Sequence, residues 1–223
     1  MNATPDDLRE TLRRRTAGAH RRLDSAPAQR NLVRPGLSLR AYAATLDAHA
    51  RAHAVCEAAL ERASWAAPAD LPTYRPRLPA LRADLAHLPR VGPSPRVEPP
   101  AVREVPTSEA HALGRVLGLR YVLDGATQGA RFIAPRLART LPELRDGGFA
   151  YWRVLADAAG DWLPLTRALA ARDARGPVAE EALRAADAAF DAFLNVLTVD
   201  GTAEGGASKL GPGSSPTVER APQ

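Results

Sequence analysis

Small and apolar side chains recur every three or four residues along most of this chain, and this helical period constrains its fold more than any other feature. The first such stretch is predicted to run from Pro5 to about Ser25, with Thr4 as N-cap. Its apolar face consists of Leu8, Leu12, Thr16, Ala19 and Leu23. Because aromatic residues make up only 5% of the chain, composition also favours packed helices over a sheet. The sequence therefore predicts an all-α fold.

The same period predicts further helices and a single multi-helix domain. Their ranges are 38–65, 78–88, 107–135, 149–159, 161–171 and 177–199, with Thr107 or Ser108 capping the fourth helix of the chain. The proline-rich segment 91–106 predicts an extended loop. We expect one helical domain over residues 1–199 and a disordered C-terminal tail over 200–223, which is rich in Gly and Ser.

Charge and cysteine content narrow the classes of function. The net charge of +5 comes mainly from arginine, which suits anionic ligands. Arginines do not alternate with stacking aromatic residues, so we expect no nucleic-acid partner. A single cysteine, Cys56, excludes an internal disulfide and is compatible with the cytoplasm. The N-terminus lacks the apolar core of a signal peptide and no apolar run is long enough to span a membrane, so we expect no membrane association.

Four glycines, Gly114, Gly118, Gly125 and Gly129, interrupt the helix predicted over 107–135. Each costs about 0.8–1 kcal/mol relative to alanine in a helix interior, so some other gain must offset them. Gly125 and Gly129 are four residues apart and therefore share one helical face. That bare face could let the backbone approach a flat ligand, could allow a close crossing with another helix, or could form a flexible hinge.

His20 lies at the margin of the apolar face of the first helix, where its side chain could reach a crevice. A neutral imidazole is a common metal ligand, including for heme iron, although a lone histidine is also often a structural residue. Arg13 is seven residues earlier, on nearly the same stripe, and could bind a carboxylate of a ring held by His20. It could equally be a solvated residue of the 13–15 arginine run. Asp24, one turn after His20, could orient the imidazole.

Three segments resemble the biliverdin-forming heme oxygenases, particularly their bacterial branch, which is associated with bacteriophytochromes or heme uptake. LRRRTAGAHRRLDS, residues 12–25, resembles the family's first helix with its proximal histidine. YVLDGATQGARFI, residues 121–133, is similar to its glycine-containing distal helix. A weaker match, YWRVLADAAGDWLPLTRAL at 151–169, places Trp162 where the family often has an aromatic residue.

The resemblance implies a heme-oxygenase-like fold that holds heme between the first, proximal helix and the distal helix. It implies that heme b is both cofactor and substrate and is cleaved with O2 to biliverdin, iron and carbon monoxide. The electrons would come from a separate reductase or ferredoxin, because the chain has no flavin or nicotinamide motif. A bacteriophytochrome could receive the biliverdin.

The resemblance also assigns residues. It implies His20 as the iron ligand, and the distal backbone at Gly125, Ala126 and Gly129 as the catalytic face. It places Tyr121 beside the cofactor. Basic propionate contacts would come from Arg13, Arg120 and Arg167.

The distal motif departs from the family pattern. Ala126 replaces a serine of the bacterial pattern and an aspartate of the mammalian-type branch, and Gln128 is the nearby polar residue that could substitute. A non-catalytic heme carrier or sensor is therefore an alternative. A thiamin-related hydrolase with Cys56 as nucleophile is a second alternative, and a nucleic-acid binder ranks last.

Overall fold

The computed structural model describes residues 7–91, 105–144 and 147–199, and over these residues the chain is a bundle of α-helices. Their bounds are α1 Leu8–Ser25, α2 Pro27–Asn31, α3 Leu39–Ala63, α4 Leu78–Ala86, α5 Glu109–Thr140, α6 Ala150–Asp157, α7 Trp162–Ala170 and α8 Pro177–Val199. The described residues contain no β-strand, and one isolated bridge pairs Asp7 with Asp173. The predicted all-α class is confirmed.

Local side-chain caps explain where three of the helices begin. The side chains of Asp7, Ser38 and Ser108 accept hydrogen bonds from backbone N–H groups three residues further on, at 2.7, 3.1 and 3.3 Å. These bonds satisfy donors that have no partner inside the helix. Ser38 and Ser108 lie where the sequence predicts helix starts, whereas the first helix begins at Leu8, after Asp7. Thr4 and Pro5 lie outside the described residues.

Other boundaries differ from the sequence-based expectation. The short helix α2 is not predicted by the apolar period, and α5 continues through Pro135 to Thr140. Proline lacks only its own N–H, so one missing bond does not end a helix that packs along its length. The expected tail at 200–223 and residues 92–104 of the expected loop lie outside the described residues.

Two hydrophobic clusters form the interior of the bundle. The larger one joins α1, α3, α5, α7 and α8, and the smaller one joins the beginning of α3, the end of α5, α4 and α6. α5 takes part in both clusters and packs along α8. A cavity lies where the two clusters meet, since members of both line it.

Candidate functional site

The cavity has a volume of about 420 Å³ and is lined by residues from every helix except α4. This volume is in the range of roughly 300–1,000 Å³ that is typical of small-molecule sites. Most of the lining is aromatic or aliphatic, including Phe132, Trp162, Phe190 and Phe193. An apolar cavity with a few polar groups suits a mainly apolar small-molecule ligand.

His20 lines the cavity from α1 and is 63% exposed, so its imidazole lies at the rim. Its Nδ1 is 2.9 Å from Oδ2 of Asp24, which confirms the predicted contact one turn along the helix. The ring packs edge-on against Phe190 at 6.1 Å between centroids. A carboxylate on Nδ1 orients the imidazole and leaves Nε2 as the nitrogen that can donate a lone pair to a metal.

Gly125 and Gly129 line the same cavity from α5. A Cβ placed on Gly129 would meet no atom within 4 Å, and one on Gly125 would meet only the Trp162 ring, at 3.6 Å. The space beside Gly129 is therefore open, and Gly125 faces only the ring of Trp162, which itself lines the cavity. Tyr121, also in the lining, lies 5.8 Å from the Trp162 ring, and burial raises the pKa of its hydroxyl.

The other two residues of the distal motif also line the cavity. Ala126 is exposed there and presents only a methyl group. The Gln128 side chain donates from Nε2 to Oγ1 of Thr127 at 3.0 Å. Its amide therefore has a local partner on the helix.

The three arginines predicted to bind propionates are absent from the lining, which contains neither arginine nor lysine among the residues that the structure describes. Arg13 is 67% exposed and pairs with Glu10 through Nε and Nη2 at 2.8 and 2.7 Å. Arg167 is exposed on α7. Arg120 is buried, and its Nε donates to Asp124 at 2.5 Å.

Arg120 belongs to a cluster of buried charges. Asp124 also accepts a hydrogen bond from Nη2 of the fully buried Arg77, at 2.8 Å. Removing one member of such a buried cluster would leave an unpaired charge, which is costly. The guanidinium of Arg120 is thus paired inside α5, and Arg77 joins the same Asp124 to the segment before α4.

A group of polar residues at the inner end of the cavity was not predicted from the sequence. It comprises Gln29 of α2, His49 of α3 and Tyr151 of α6. His49 Nε2 lies 3.2 Å from Oε1 of Gln29. The sequence pattern could have identified His49 as an inward-facing residue. His49 and His53 are four residues apart and lie on the same helical stripe as the buried Tyr42 and Leu46.

His49 is a neutral residue at ordinary pH. Burial, and secondarily the neighbouring His53, lower the pKa of its imidazole to about 3. Burial likewise lowers the pKa of His53. The inner end of the cavity therefore contains neutral hydrogen-bonding groups in a low-dielectric setting.

One comparison with known proteins identifies the family. The heme oxygenase family model matches residues 6–199 of the 223. The chain belongs to the heme oxygenase family. No curated protein matches it. Membership supports a heme-binding or heme-degrading function and the all-α heme oxygenase fold.

The single cysteine of this heme oxygenase family member lies away from the cavity. Cys56 is fully buried and does not line the cavity, and burial raises the pKa of its thiol to about 12. A buried thiol of that pKa is not an activated nucleophile, which argues against the hydrolase alternative.

Among the described residues, no helix has the length and apolar character needed to cross a membrane.

Proposed function

We propose that this protein is a heme oxygenase that binds heme b in the cavity with His20 as the iron ligand and converts it to biliverdin, iron and carbon monoxide. The observation that carries the proposal is the meeting of His20 with the bare backbone of Gly125 and Gly129 in one apolar cavity. These residues are about a hundred positions apart in the chain.

The residues present fit heme on three grounds. Nε2 of His20 can donate to iron while Asp24 holds Nδ1. The open space beside Gly129 is space that any side chain would reduce. The aromatic lining matches the apolar faces of a porphyrin.

When bound, heme would supply the iron that activates O2 next to the porphyrin ring that is cleaved. The chain's own residues would bind, orient and shield it. His20 would fix the iron, the glycine face of α5 would limit the space beside the ring, and Phe132 and Phe193 would exclude water.

The propionates of heme would extend beyond the lining, since the described lining residues include no cation. Arg13 and Arg167 are proposed as their partners because both guanidinium groups are exposed. For Arg13, a propionate would compete with Glu10. Arg120 is left out of this proposal because Asp124 holds it in the interior.

The proposal extends to partners by resemblance to the family. Electrons would come from a separate reductase or ferredoxin in the cytoplasm, and biliverdin could pass to a bacteriophytochrome.

Titration with hemin, followed by absorption spectroscopy, tests the ligand assignment. We expect wild-type protein to give the Soret and visible bands of histidine-ligated heme, and His20→Ala to lose that ligation spectrum. His87→Ala is the matched control, because His87 is also exposed but lies at the end of α4, away from the cavity. If His20→Ala and His87→Ala both keep the wild-type spectrum, the assignment of His20 is wrong.

Addition of a reductant and O2 to the heme complex then tests catalysis. A heme oxygenase loses the Soret band while a bilin absorption grows. A stable ferrous spectrum instead would reject the enzymatic proposal and favour a heme carrier or sensor, the alternative suggested by the methyl group at Ala126.

A further inference from the structure

Polar side chains continue from the cavity into the interior of the bundle. Nδ1 of His49 lies 3.5 Å from the Tyr151 hydroxyl, and that hydroxyl lies 3.3 Å from Nε2 of His53. Nδ1 of His53 in turn lies 3.5 Å from Oε1 of Glu57. The four residues follow one another at 3.3–3.5 Å, and Nδ1 of His53 makes no hydrogen bond as placed. We call this row of titratable groups the His49–Glu57 chain.

The two ends of this chain have different surroundings. His49 and Tyr151 line the cavity, whereas His53 is fully buried and does not. Glu57 is 12% exposed, so its carboxylate reaches the edge of the bundle. The chain thus connects the cavity with a group that can exchange protons with solvent.

Charged and polar groups from other elements hold Glu57. Its Oε1 accepts hydrogen bonds from the Tyr74 hydroxyl at 2.9 Å and from the backbone N–H of Arg77 at 2.6 Å. The guanidinium of Arg77 stacks over the Tyr74 ring and binds Asp124 of α5. Burial raises the pKa of Glu57, but the neighbouring His53 and the hydrogen bonds from Tyr74 and Arg77 lower it by more, so the pKa lies below its ordinary value.

The hydroxyl of Tyr151 has a single proton, so it can donate to only one imidazole and must accept from the other. In one arrangement, Nδ1–H of His49 donates to Tyr151, Tyr151 donates to Nε2 of His53, and Nδ1–H of His53 donates to the Glu57 carboxylate. Nε2 of His49 then carries a lone pair, which the amide nitrogen of Gln29 can satisfy after a half-turn of that amide.

In the reverse arrangement, Nε2–H of His49 donates to Oε1 of Gln29 or to a ligand in the cavity. Tyr151 donates to His49, and Nε2–H of His53 donates to Tyr151. Nδ1 of His53 then lacks a proton and needs a donor, which only a protonated Glu57 can provide. As placed, this nitrogen is buried without a hydrogen bond. The two arrangements differ by one proton.

We propose that the His49–Glu57 chain is a proton relay that delivers protons to the ligand in the cavity. This inference rests on the proposed function, because reduction of O2 to water during heme cleavage consumes protons. In the delivering step, the Nε2–H bond of His49 breaks and its proton passes to an acceptor in the cavity. Tyr151 then protonates Nδ1 of His49, Nε2–H of His53 protonates Tyr151, and Glu57 protonates Nδ1 of His53. Glu57 is ionised at rest because its pKa is lowered, so it takes each proton from solvent before passing it to His53.

The distances of 3.3–3.5 Å are longer than a strong hydrogen bond. Catalytic hydrogen bonds often tighten only in the complex with the substrate. The relay residues are well placed for such a change, because Asp84 anchors α6 by accepting the backbone N–H groups of Ala150 and Tyr151 at 2.7 and 2.9 Å. Small shifts of the side chains would then shorten the distances in the His49–Glu57 chain, while α6 stays in place.

Tyr151→Phe breaks the chain in the middle, and Tyr42→Phe is a matched control. Both tyrosines are buried between α3 and α6, and the Tyr42 hydroxyl also makes two hydrogen bonds, to the Gly148 carbonyl and from Nε1 of Trp152. Tyr42 does not line the cavity. Since positioned proton transfer contributes roughly 10²–10⁴-fold to a rate, we expect Tyr151→Phe to slow single-turnover heme loss at least about tenfold. Heme affinity should be unchanged, and Tyr42→Phe should keep the wild-type rate.

Glu57→Gln removes the proton source while keeping the shape of the side chain and should show the same slowing. If Tyr151→Phe and Glu57→Gln both consume heme at the wild-type rate, the relay is wrong. Equal slowing in Tyr42→Phe would also overturn it, because the effect would then reflect the loss of any buried hydroxyl.

Ring-nitrogen NMR of the heme-free protein tests the relay without any catalytic readout. We expect His49 and His53 to carry their protons in the same sense, both on Nδ1 or both on Nε2, and Tyr151→Phe to remove this coupling. Opposite senses would show that the chain is broken at Tyr151 and would overturn the inference.

The two experiments separate the inference from the proposed function. A wild-type protein that binds heme but never consumes it refutes the enzymatic proposal, and the NMR experiment still decides whether the chain is continuous. A wild-type protein that consumes heme with no slowing in Tyr151→Phe refutes the relay alone.

Discussion

Two glycine pairs on α5 have the same four-residue spacing but opposite surroundings. A Cβ on Gly114 would lie 2.5 Å from the Val178 carbonyl, and one on Gly118 would overlap the carbonyl of Ala182. Beside Gly125 and Gly129 there is either the edge of an aromatic ring or open space. The first pair lets α8 approach α5 closely, whereas the second pair leaves room for a ligand.

The comparison shows what offsets the cost of glycine in each half of the helix. At Gly114 and Gly118, close backbone packing of α5 on α8 repays about 0.8–1 kcal/mol per residue. At Gly129 no packing contact does so within the described structure. The absence of a side chain at the cavity is therefore better explained by function than by stability.

The α5–α8 crossing and the cavity also differ in the charge of their buried side chains. Beside the close crossing, Arg115 pairs with Glu181 of α8 at 2.7 Å. At the cavity, His49 is buried and neutral, as is His53 behind it. One region is held by opposite charges, whereas the other depends on histidines that remain unprotonated.

The largest expected difference between the two glycine pairs is in stability. Gly118→Ala forces a methyl group into the backbone of α8, which cannot move as a side chain would, so we expect a loss of about 3 kcal/mol in unfolding free energy. Gly129→Ala should instead stabilise the protein by about 0.8–1 kcal/mol, because the new methyl group meets open space. Urea denaturation of both variants measures the two effects. Equal changes in the two variants would contradict the distinction between the pairs.

The second prediction concerns pH and the cavity region. The folded pKa of His49 is about 3 against an ordinary value of 6.5, so between these values the unfolded chain binds a proton that the folded protein does not. The neutral His49 therefore contributes fully to the free energy of unfolding above pH 6.5. Its contribution decreases as the pH falls, by about 2 kcal/mol between pH 6.5 and 5. The lowered pKa of His53 acts in the same direction.

His49→Gln is the variant that isolates this effect, because glutamine does not titrate. Its unfolding free energy should depend less steeply on pH than that of the wild type. Hydrogen exchange at pH 5 should show faster opening around the cavity than at the α5–α8 crossing. Identical pH dependence in the two proteins would refute the role assigned to His49.

The smallest effect is on ligand binding. Gly129→Leu places a branched side chain in the cavity, and we expect heme affinity to fall about tenfold, or about 1.4 kcal/mol, with little change in folding stability. Hemin titration measures the affinity, and Gly129→Ala serves as the smaller matched change. An unchanged affinity in Gly129→Leu would mean that the ligand does not occupy the space beside α5.

The sequence by itself determined the features that depend on neighbours within a few turns. Helical period predicted the all-α class and a helix start at Ser38, and capping chemistry predicted a start at Thr107 or Ser108, of which Ser108 is the cap. The spacing of His20 and Asp24 predicted their contact. Resemblance to the family placed His20, Gly125 and Gly129 in one site, and the structure brings all three to one cavity.

Only the tertiary structure decided which groups meet across the bundle. Gly114 and Gly118 look like Gly125 and Gly129 in the sequence, and only the path of α8 separates a crossing from a cavity wall. In the sequence Arg120 resembles an anion-binding residue, but in the structure it is buried and paired with Asp124, which also binds Arg77. His49 and Tyr151 are 102 residues apart, and the packing of α6 on the bundle brings them together. Such contacts depend on how helices cross, and the local period of a sequence does not encode that geometry.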